Sequence, residues 1–370
     1  MSFALGAGAI RIGVTVSRAQ VCAVEITATR PQGLARMFIG RRPEEAPILA
    51  GQLFSLCGFA QSLAARLAML RAAGGRMSNA ERYLSAIGLL AERVFETLRS
   101  LVLHWPSPAI AGRAAASGPV LRQALAASQE IIAKVKSNNS QAETLALPAA
   151  RLKVAALGLG MPTENMEPAA GTLCAAILAE TRHDRIFRPR RPDALSSADD
   201  AAVIDHLRHS PGYAALPFLS GRVVETGAYA RLYRSAEAGE PFMAARLLAR
   251  IADVRSCLDS LQRLTTGAEL DPAPLMSDGP AAGAGGYGAV ECARGRLFHQ
   301  AEIGEDGQIS AYRILAPTEW NFHPAGPFVE TLLSCRIGTG EAARNVVSRL
   351  AALYDPCVAF EIDVCEAVHA

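Results

Sequence analysis

Residues 352–363 read A-L-Y-D-P-C-V-A-F-E-I-D. An Asp-Pro pair stops a helix, because proline breaks the hydrogen-bond ladder and disfavours the helical region for the residue before it. The helix it stops is predicted over Glu341–Leu353, and a thiol, Cys357, follows the stop directly. Three residues on stands a bulky ring, Phe360. Working outward, the cysteine that answers Cys357 is Cys57, which opens C-G-F-A-Q-S-L-A-A-R-L-A-M-L-R-A-A-G-G. That stretch reads as an alanine- and leucine-rich helix ended by Gly74 and Gly75. A helix start favours a thiolate through its dipole and free N–H groups, and thiolates select soft metals such as iron and nickel. Taken singly, each cysteine reads as a small buried hydrophobe, and only a fold brings two of them together.

Composition narrows the setting. The 370 residues are 50% hydrophobic, enough for a substantial core, and 37 Lys and Arg against 35 Asp and Glu leave a net charge of +2. Basic residues are dispersed except in R-I-F-R-P-R-R at 185–191, so no concentrated face for nucleic acid is expected. The apolar opening M-S-F-A-L-G-A-G-A-I-R has no positive leader and is too short to cross a bilayer, and no other apolar run reaches that length. The eight cysteines are scattered and never spaced C-x2-C, which excludes ordinary zinc ribbons and predicts reduced thiols in the cytoplasm.

Along the chain, 10–29 alternates as a β-hairpin with its turn near Ser17 to Ala19. Ser78 with Glu81 forms a capping box before a stripe of Tyr83, Ile87, Leu90, Val94, Leu98 and Leu101. Further helices are predicted near 119–137, 167–182, 198–209 and 240–265, and two Pro- and Gly-rich stretches, 188–200 and 271–288, read as loops. Strands are predicted at 289–292, 296–303 and 308–315, with E-D-G at 305–307 as a turn. The expected architecture is α+β in one domain spanning 1–370. It comprises the hairpin 10–29, a central helical bundle over 57–265, a small β-hairpin segment at 289–316, and a C-terminal helix with the D-P-C tail at 326–370.

Four separated segments, in order, resemble the large subunit of nickel-iron hydrogenases. A-I-R-I-G-V-T-V looks like that family's opening R-I/V-E-G-H strand, and F-S-L-C-G-F-A-Q-S-L-A-A its C-x-x-C-x-x-x-H-x-L-A helix start. A-R-G-R-L-F-H with E-D-G-Q-I-S-A-Y-R-I-L-A-P-T-E-W-N is similar to its P-R-G-x-L-x-H strand, D/N-G-x-I-x-x-Y hairpin and P-T/S-x-W-N turn, and D-P-C-V-A-F resembles its D-P-C-x-x-C. In that family four thiolates hold nickel and an iron that carries two cyanides and a carbonyl. Here Phe54 and Phe360 stand where two of them belong, Gln61 and Asp363 replace motif histidines, and Gly13-Val14 replaces the acid expected after Arg11-Ile12. A hydrocarbon ring supplies no donor, so a nickel site of that design is excluded.

What the resemblance retains concerns iron. It implies Cys57 and Cys357 as metal ligands, Arg294 facing one cyanide, the Pro317-Thr318 turn serving the other, and His299 orienting this layer. A guanidinium suits a buried cyanide nitrogen, and its charge offsets a dianionic unit. Beyond Asp363, Cys365 and His369 stand at i and i+4, an additional thiolate and imidazole if the tail is helical. With these departures the chain is identified as a member of the maturation proteins of the HupK and HoxV type. Membership implies a non-catalytic cytoplasmic scaffold that transiently holds the iron dicyanide carbonyl unit, without nickel. Its implied partners are a HypC-like chaperone, HypD and the hydrogenase large-subunit precursor, with no nucleic acid and no membrane. Two rivals stay open: a divergent hydrogenase that recruits Cys365 or Cys292, and a metal-free mimic that docks partners.

Overall fold

The structure is a computed structural model that describes residues 8–28, 33–137, 142–163, 166–233, 239–265, 271–281, 283–333 and 335–367. Its first element is the predicted hairpin, Ala9–Ser17 paired antiparallel with Gln20–Ala28 around Arg18 and Ala19, both at positive φ. Ile10, Ile12, Val14 and Val16 alternate inward and are buried, as a half-covered sheet requires. The third strand of this sheet is the chain's last, Ala359–Glu366, which runs parallel to the first with Phe360 beside Ile10 and Cys365 beside Thr15.

That strand corrects the reading of the tail. F-E-I-D-V is a β alternation whose Phe360, Ile362 and Val364 pack on the core while Glu361, Asp363 and Cys365 face outward. Cys365 therefore belongs to no helical face; its sulfur lies 3.7 Å from Thr15 Oγ1 on the exposed side of the sheet. His369 lies outside the described residues.

A second sheet is an antiparallel meander of Met276–Ala281, Gly285–Cys292, Gly295–Ile303 and Ile309–Leu315. Its first strand, and the start of its second, fall in the stretch 271–288 that sequence composition assigns to a loop. The glycines there serve packing rather than turning. A β-carbon at Gly286 would lie 2.3 Å from Ala72 N, and one at Gly288 would lie 2.4 Å from Ala64 O. Helix Gly58–Ala72 thus rests directly on the sheet, backbone to backbone.

Helix Asn79–Leu103, the longest among the described residues, starts at the Ser78 capping box and runs through the core. The helices predicted from periodicity occupy Gly118–Lys136, Leu173–His183, Asp200–His209 and Phe242–Thr265. A further helix, Ala142–Gly158, carries Pro148 inside it and has no clean polar face, so its periodicity is muted. Helix Gly340–Tyr354 ends where D-P predicts, with Asp355 in the left-handed region at φ 51°. Among the described residues no helix is long and apolar enough to cross a membrane.

Candidate metal centre

Four residues of the longest helix, each four apart, organise the site. Positions spaced by four share one helix face. Gly88 admits the ring of Phe59, whose Cζ would be 2.4 Å from any β-carbon there. One turn on, the Glu92 carboxylate accepts the N–H groups of Phe59 (2.6 Å) and Ala60 (2.9 Å), which caps the helix that begins after Cys57. Burial pushes the Glu92 carboxyl up to about 8, against the pull of those two donors. Glu96, next, accepts Arg294 Nη1 at 3.2 Å, and Ser100 donates to Asp355 Oδ1 at 2.6 Å. One helix face therefore fixes the Cys57 turn, Arg294 and the D-P-C segment together.

Arg294 sits on the two-residue turn Ala293-Arg294 between the second and third strands of the meander, a sharper position than the strand its sequence suggests. Gly295 follows at φ 130°, and a β-carbon there would lie 2.3 Å from Thr226 Oγ1. Arg294 is 2% exposed. Its Nη1 donates to Cys57 Sγ at 3.2 Å, and its Nε stands 3.5 Å from Asp355 Oδ2. Nη2 is buried and has no hydrogen-bond partner among the described residues. Burial works to raise the Asp355 carboxyl, but Arg294 and Arg250 outweigh it and hold the group below the usual range. Arg250 also donates to the carbonyl of Ala352 (3.0 Å), so the helix end and its aspartate are pinned by one cation.

Cys57 is buried, and so is Cys292, the last residue before the Ala293-Arg294 turn. The neighbouring Cys292 and burial push the Cys57 thiol up, while Cys292, beside Cys57 and Arg294, is held below the usual thiol range against burial. Cys357 is half-buried, and its backbone N–H donates to Thr318 Oγ1 at 3.0 Å. Thr318 follows Pro317 at the start of the short helix Pro317–Asn321. Asn321 anchors that helix by exchanging two 3.0 Å bonds with the backbone of Thr226.

Of the residues chosen from sequence, the structure gathers Cys57, Arg294, Thr318 and Cys357, with Pro317 opening the Thr318 helix. It does not bring Cys365 to them. His299 is fully buried, but it bonds Gln61 Oε1 through Nε2 and Tyr312 Oη through Nδ1, both at 2.7 Å. It therefore ties helix Gly58–Ala72 to the sheet rather than orienting the thiols. Sequence reasoning gave Cys292 only a rival role and missed Glu92, Glu96 and Ser100. Their signal was a polar residue every fourth position along an otherwise apolar helix face.

Burial pushes the His299 imidazole down to about 3. Below its ordinary value of 6.5 the unfolded chain takes up a proton that the folded chain refuses, so stability falls as pH drops from about 6.5 toward 3, by at most about 1.4 kcal/mol per pH unit. Denaturant unfolding at pH 7, 6 and 5 is expected to show this loss, and His299→Gln is expected to flatten the profile by about one proton.

The family described as nickel-dependent hydrogenase matches residues 217–363, the stretch that carries Arg294, Thr318 and Cys357. The hydrogenase expression/formation protein HupK of Rhizobium leguminosarum bv. viciae is 59% identical over 100% of both chains. This chain belongs to the HupK/HoxV family of hydrogenase expression/formation proteins. HupK of Azotobacter vinelandii is 31% identical over 98% of this chain and 100% of its own, and HoxV of Cupriavidus necator is 31% identical over 93% of each. The Ni-Fe-Se hydrogenase from Desulfomicrobium baculatum, in a reduced, active form, superposes with a TM-score of 0.64 at 14% identity, covering 93% of this chain and 95% of that one. The HupK/HoxV chain therefore shares the α+β fold of a hydrogenase large subunit. Within that fold Phe54 is half-buried at the end of helix Ala46–Leu53, and Phe360 packs into the core from the last strand.

Proposed function

We propose that the protein is a non-catalytic scaffold of nickel-iron hydrogenase maturation. It transiently holds the iron dicyanide carbonyl unit between Cys57 and Cys357, receives it in the cytoplasm from a HypC-like chaperone and HypD, and passes it to the large-subunit precursor. The single observation that carries this reading is Arg294, a buried guanidinium with one nitrogen on the Cys57 sulfur and another, Nη2, with no hydrogen-bond partner among the described residues. A buried donor without an acceptor is costly. A metal-bound cyanide nitrogen is an anionic acceptor of the right kind for it.

The donor set fits this cargo. Among the described residues no three His, Cys, Asp or Glu side chains converge to hold a metal ion. A bare ion is poorly served by such a site, whereas an iron that brings two cyanides and a carbonyl needs few protein donors. With two thiolates that unit would be dianionic, and the cations at hand are Arg294, on the Cys57 sulfur, and Arg250, on the Ala352 carbonyl. Phe54 and Phe360 offer no sulfur for nickel.

The test is an infrared spectrum of protein purified without oxygen from cells that express the maturation machinery. Metal-bound cyanide and carbonyl bands are expected in the wild type and are expected to vanish in Cys57→Ala and Cys357→Ala. A wild type without bands in those cells overturns the scaffold and favours a metal-free mimic; stoichiometric nickel with hydrogen uptake overturns it in favour of an enzyme.

A further inference from the structure

The one dense run of basic residues in the sequence, R-I-F-R-P-R-R at 185–191, takes no part in the metal centre. It forms neither helix nor strand: it leaves helix Leu173–His183, bends at Phe187 and reaches the short strand Asp193–Ala194. We propose that this segment is a preformed docking ridge for an acidic, extended segment of a protein partner, with Arg185, Arg188 and Arg191 each meeting a carboxylate.

The segment is held along its length although it has no regular structure. Phe187 is buried against Phe242, ring centroids 6.3 Å apart, and the carbonyl of Ile186 accepts the Cys335 thiol at 3.6 Å. Tyr229 Oη donates to the carbonyl of Arg190 at 3.0 Å. Just before the run, the Asp184 carboxylate accepts the N–H of Ile186 and Arg349 Nη2, both at 3.2 Å. A backbone fixed in this way loses little further entropy when a partner settles on it.

The side chains left over are cations. Every third residue, Arg185, Arg188 and Arg191, is exposed, and among the described residues none of the three has an ion pair or a hydrogen bond. The acids that touch the segment are already engaged, Asp184 by Arg349 at 3.2 Å and Glu330 by Arg190 at 2.6 Å. The positive surface also continues past the run. The Cys335 bond sets Arg336 beside its start, and this exposed arginine donates to the carbonyl of Arg18, itself exposed, at 3.0 Å. Fixed cations without counter-charges favour a partner that supplies them and speed its encounter.

The chemistry selects carboxylates on a peptide. A guanidinium fork matches a carboxylate, and Glu330 on Arg190 is an example from the chain's own sequence of a carboxylate seated on this segment. The cations form a line rather than a broad face, and a net charge of +2 over 370 residues supplies no wide field for a phosphate backbone. Exposed Pro189, between Arg188 and Arg191, adds an apolar footing that suits a peptide.

The test is fluorescence anisotropy with the full chain and a labelled peptide, Glu-Pro-Pro-Glu-Pro-Pro-Glu, which its prolines keep extended. At low ionic strength the wild type is expected to bind this peptide and to ignore the same peptide with glutamine in place of glutamate. The triple variant Arg185→Gln, Arg188→Gln, Arg191→Gln is expected to weaken binding by at least about tenfold. Because all three side chains are exposed, it is expected to match the wild type by circular dichroism. An equal change of charge at exposed positions elsewhere, Arg76→Gln, Arg113→Gln, Arg122→Gln, is expected to leave affinity within about twofold. Equal loss in the two triples makes the effect one of net charge and overturns the ridge, as does equal affinity for the glutamate and glutamine peptides. Tighter binding of a single-stranded thymidine oligonucleotide, lost in the ridge triple, overturns the protein partner in favour of a nucleic acid.

Discussion

Arg294→Leu is expected to empty the protein of its cargo and to lower its stability by about 3 kcal/mol. Leucine matches the apolar stem but removes the charge between two carboxylates, Glu96 at 3.2 Å and Asp355 with an ion-pair distance of 3.5 Å. The loss is smaller than for a fully orphaned buried charge, because Glu96 keeps Arg99 and Asp355 keeps Arg250 and Ser100. On the proposed function, cargo retention is expected to have no such reserve, since among the described residues Arg294 alone places a donor on Cys57 and has a second, unpaired one. Arg294→Lys separates the two effects. A lysine preserves the charge, so most of the stability is expected to return, but a single ammonium cannot reproduce a planar fork, so the infrared bands are expected to stay weak. Equal loss in both variants, by infrared and by denaturant unfolding, contradicts a directional role for the guanidinium.

Gly288→Val is expected to abolish the fold. The first added carbon already lies 2.4 Å from Ala64 O and 2.5 Å from Leu67 Cβ, so helix Gly58–Ala72 would have to leave the sheet. Nothing at that distance is the far end of a flexible side chain, and the expected cost exceeds about 4 kcal/mol, a large share of the whole stability of a domain. The helix that would lift carries Cys57 at its start, so site and core fail together. Gly112→Ala is the matched control: it is helical, has open space around it and is expected to stabilise by about 0.5–1 kcal/mol. Soluble yield and cooperative melting by circular dichroism decide both cases.

These two residues also show what was readable beforehand. Arg294, Cys57, Cys357 and the Pro317-Thr318 turn were legible because their motifs are local: a few adjacent residues carry the resemblance. Gly286 and Gly288 misled for the same reason. Glycine density signals a loop when neighbours in sequence are all one sees, and only the helix across the sheet explains why side chains are forbidden there. Glu92, Glu96 and Ser100 were hidden inside an amphipathic pattern that otherwise reads as core. The tail was misread because i, i+4 spacing and β alternation coexist in F-E-I-D-V-C, and the deciding partner, the first strand, is at the far end of the chain.

That partnership sets an order in time. Arg11 and Glu361 lie side by side although 350 residues separate them in the chain. As the polypeptide is synthesised, the first strand emerges early and waits with one edge uncovered while nearly everything between is built. Only when the last strand arrives does the edge close, and Cys357, two positions before that strand, is drawn against Thr318 in the same movement. The pairing of the first strand with Ala359–Glu366 therefore brings Cys357 to Thr318 only after the segments that carry Cys57 and Arg294 have been made.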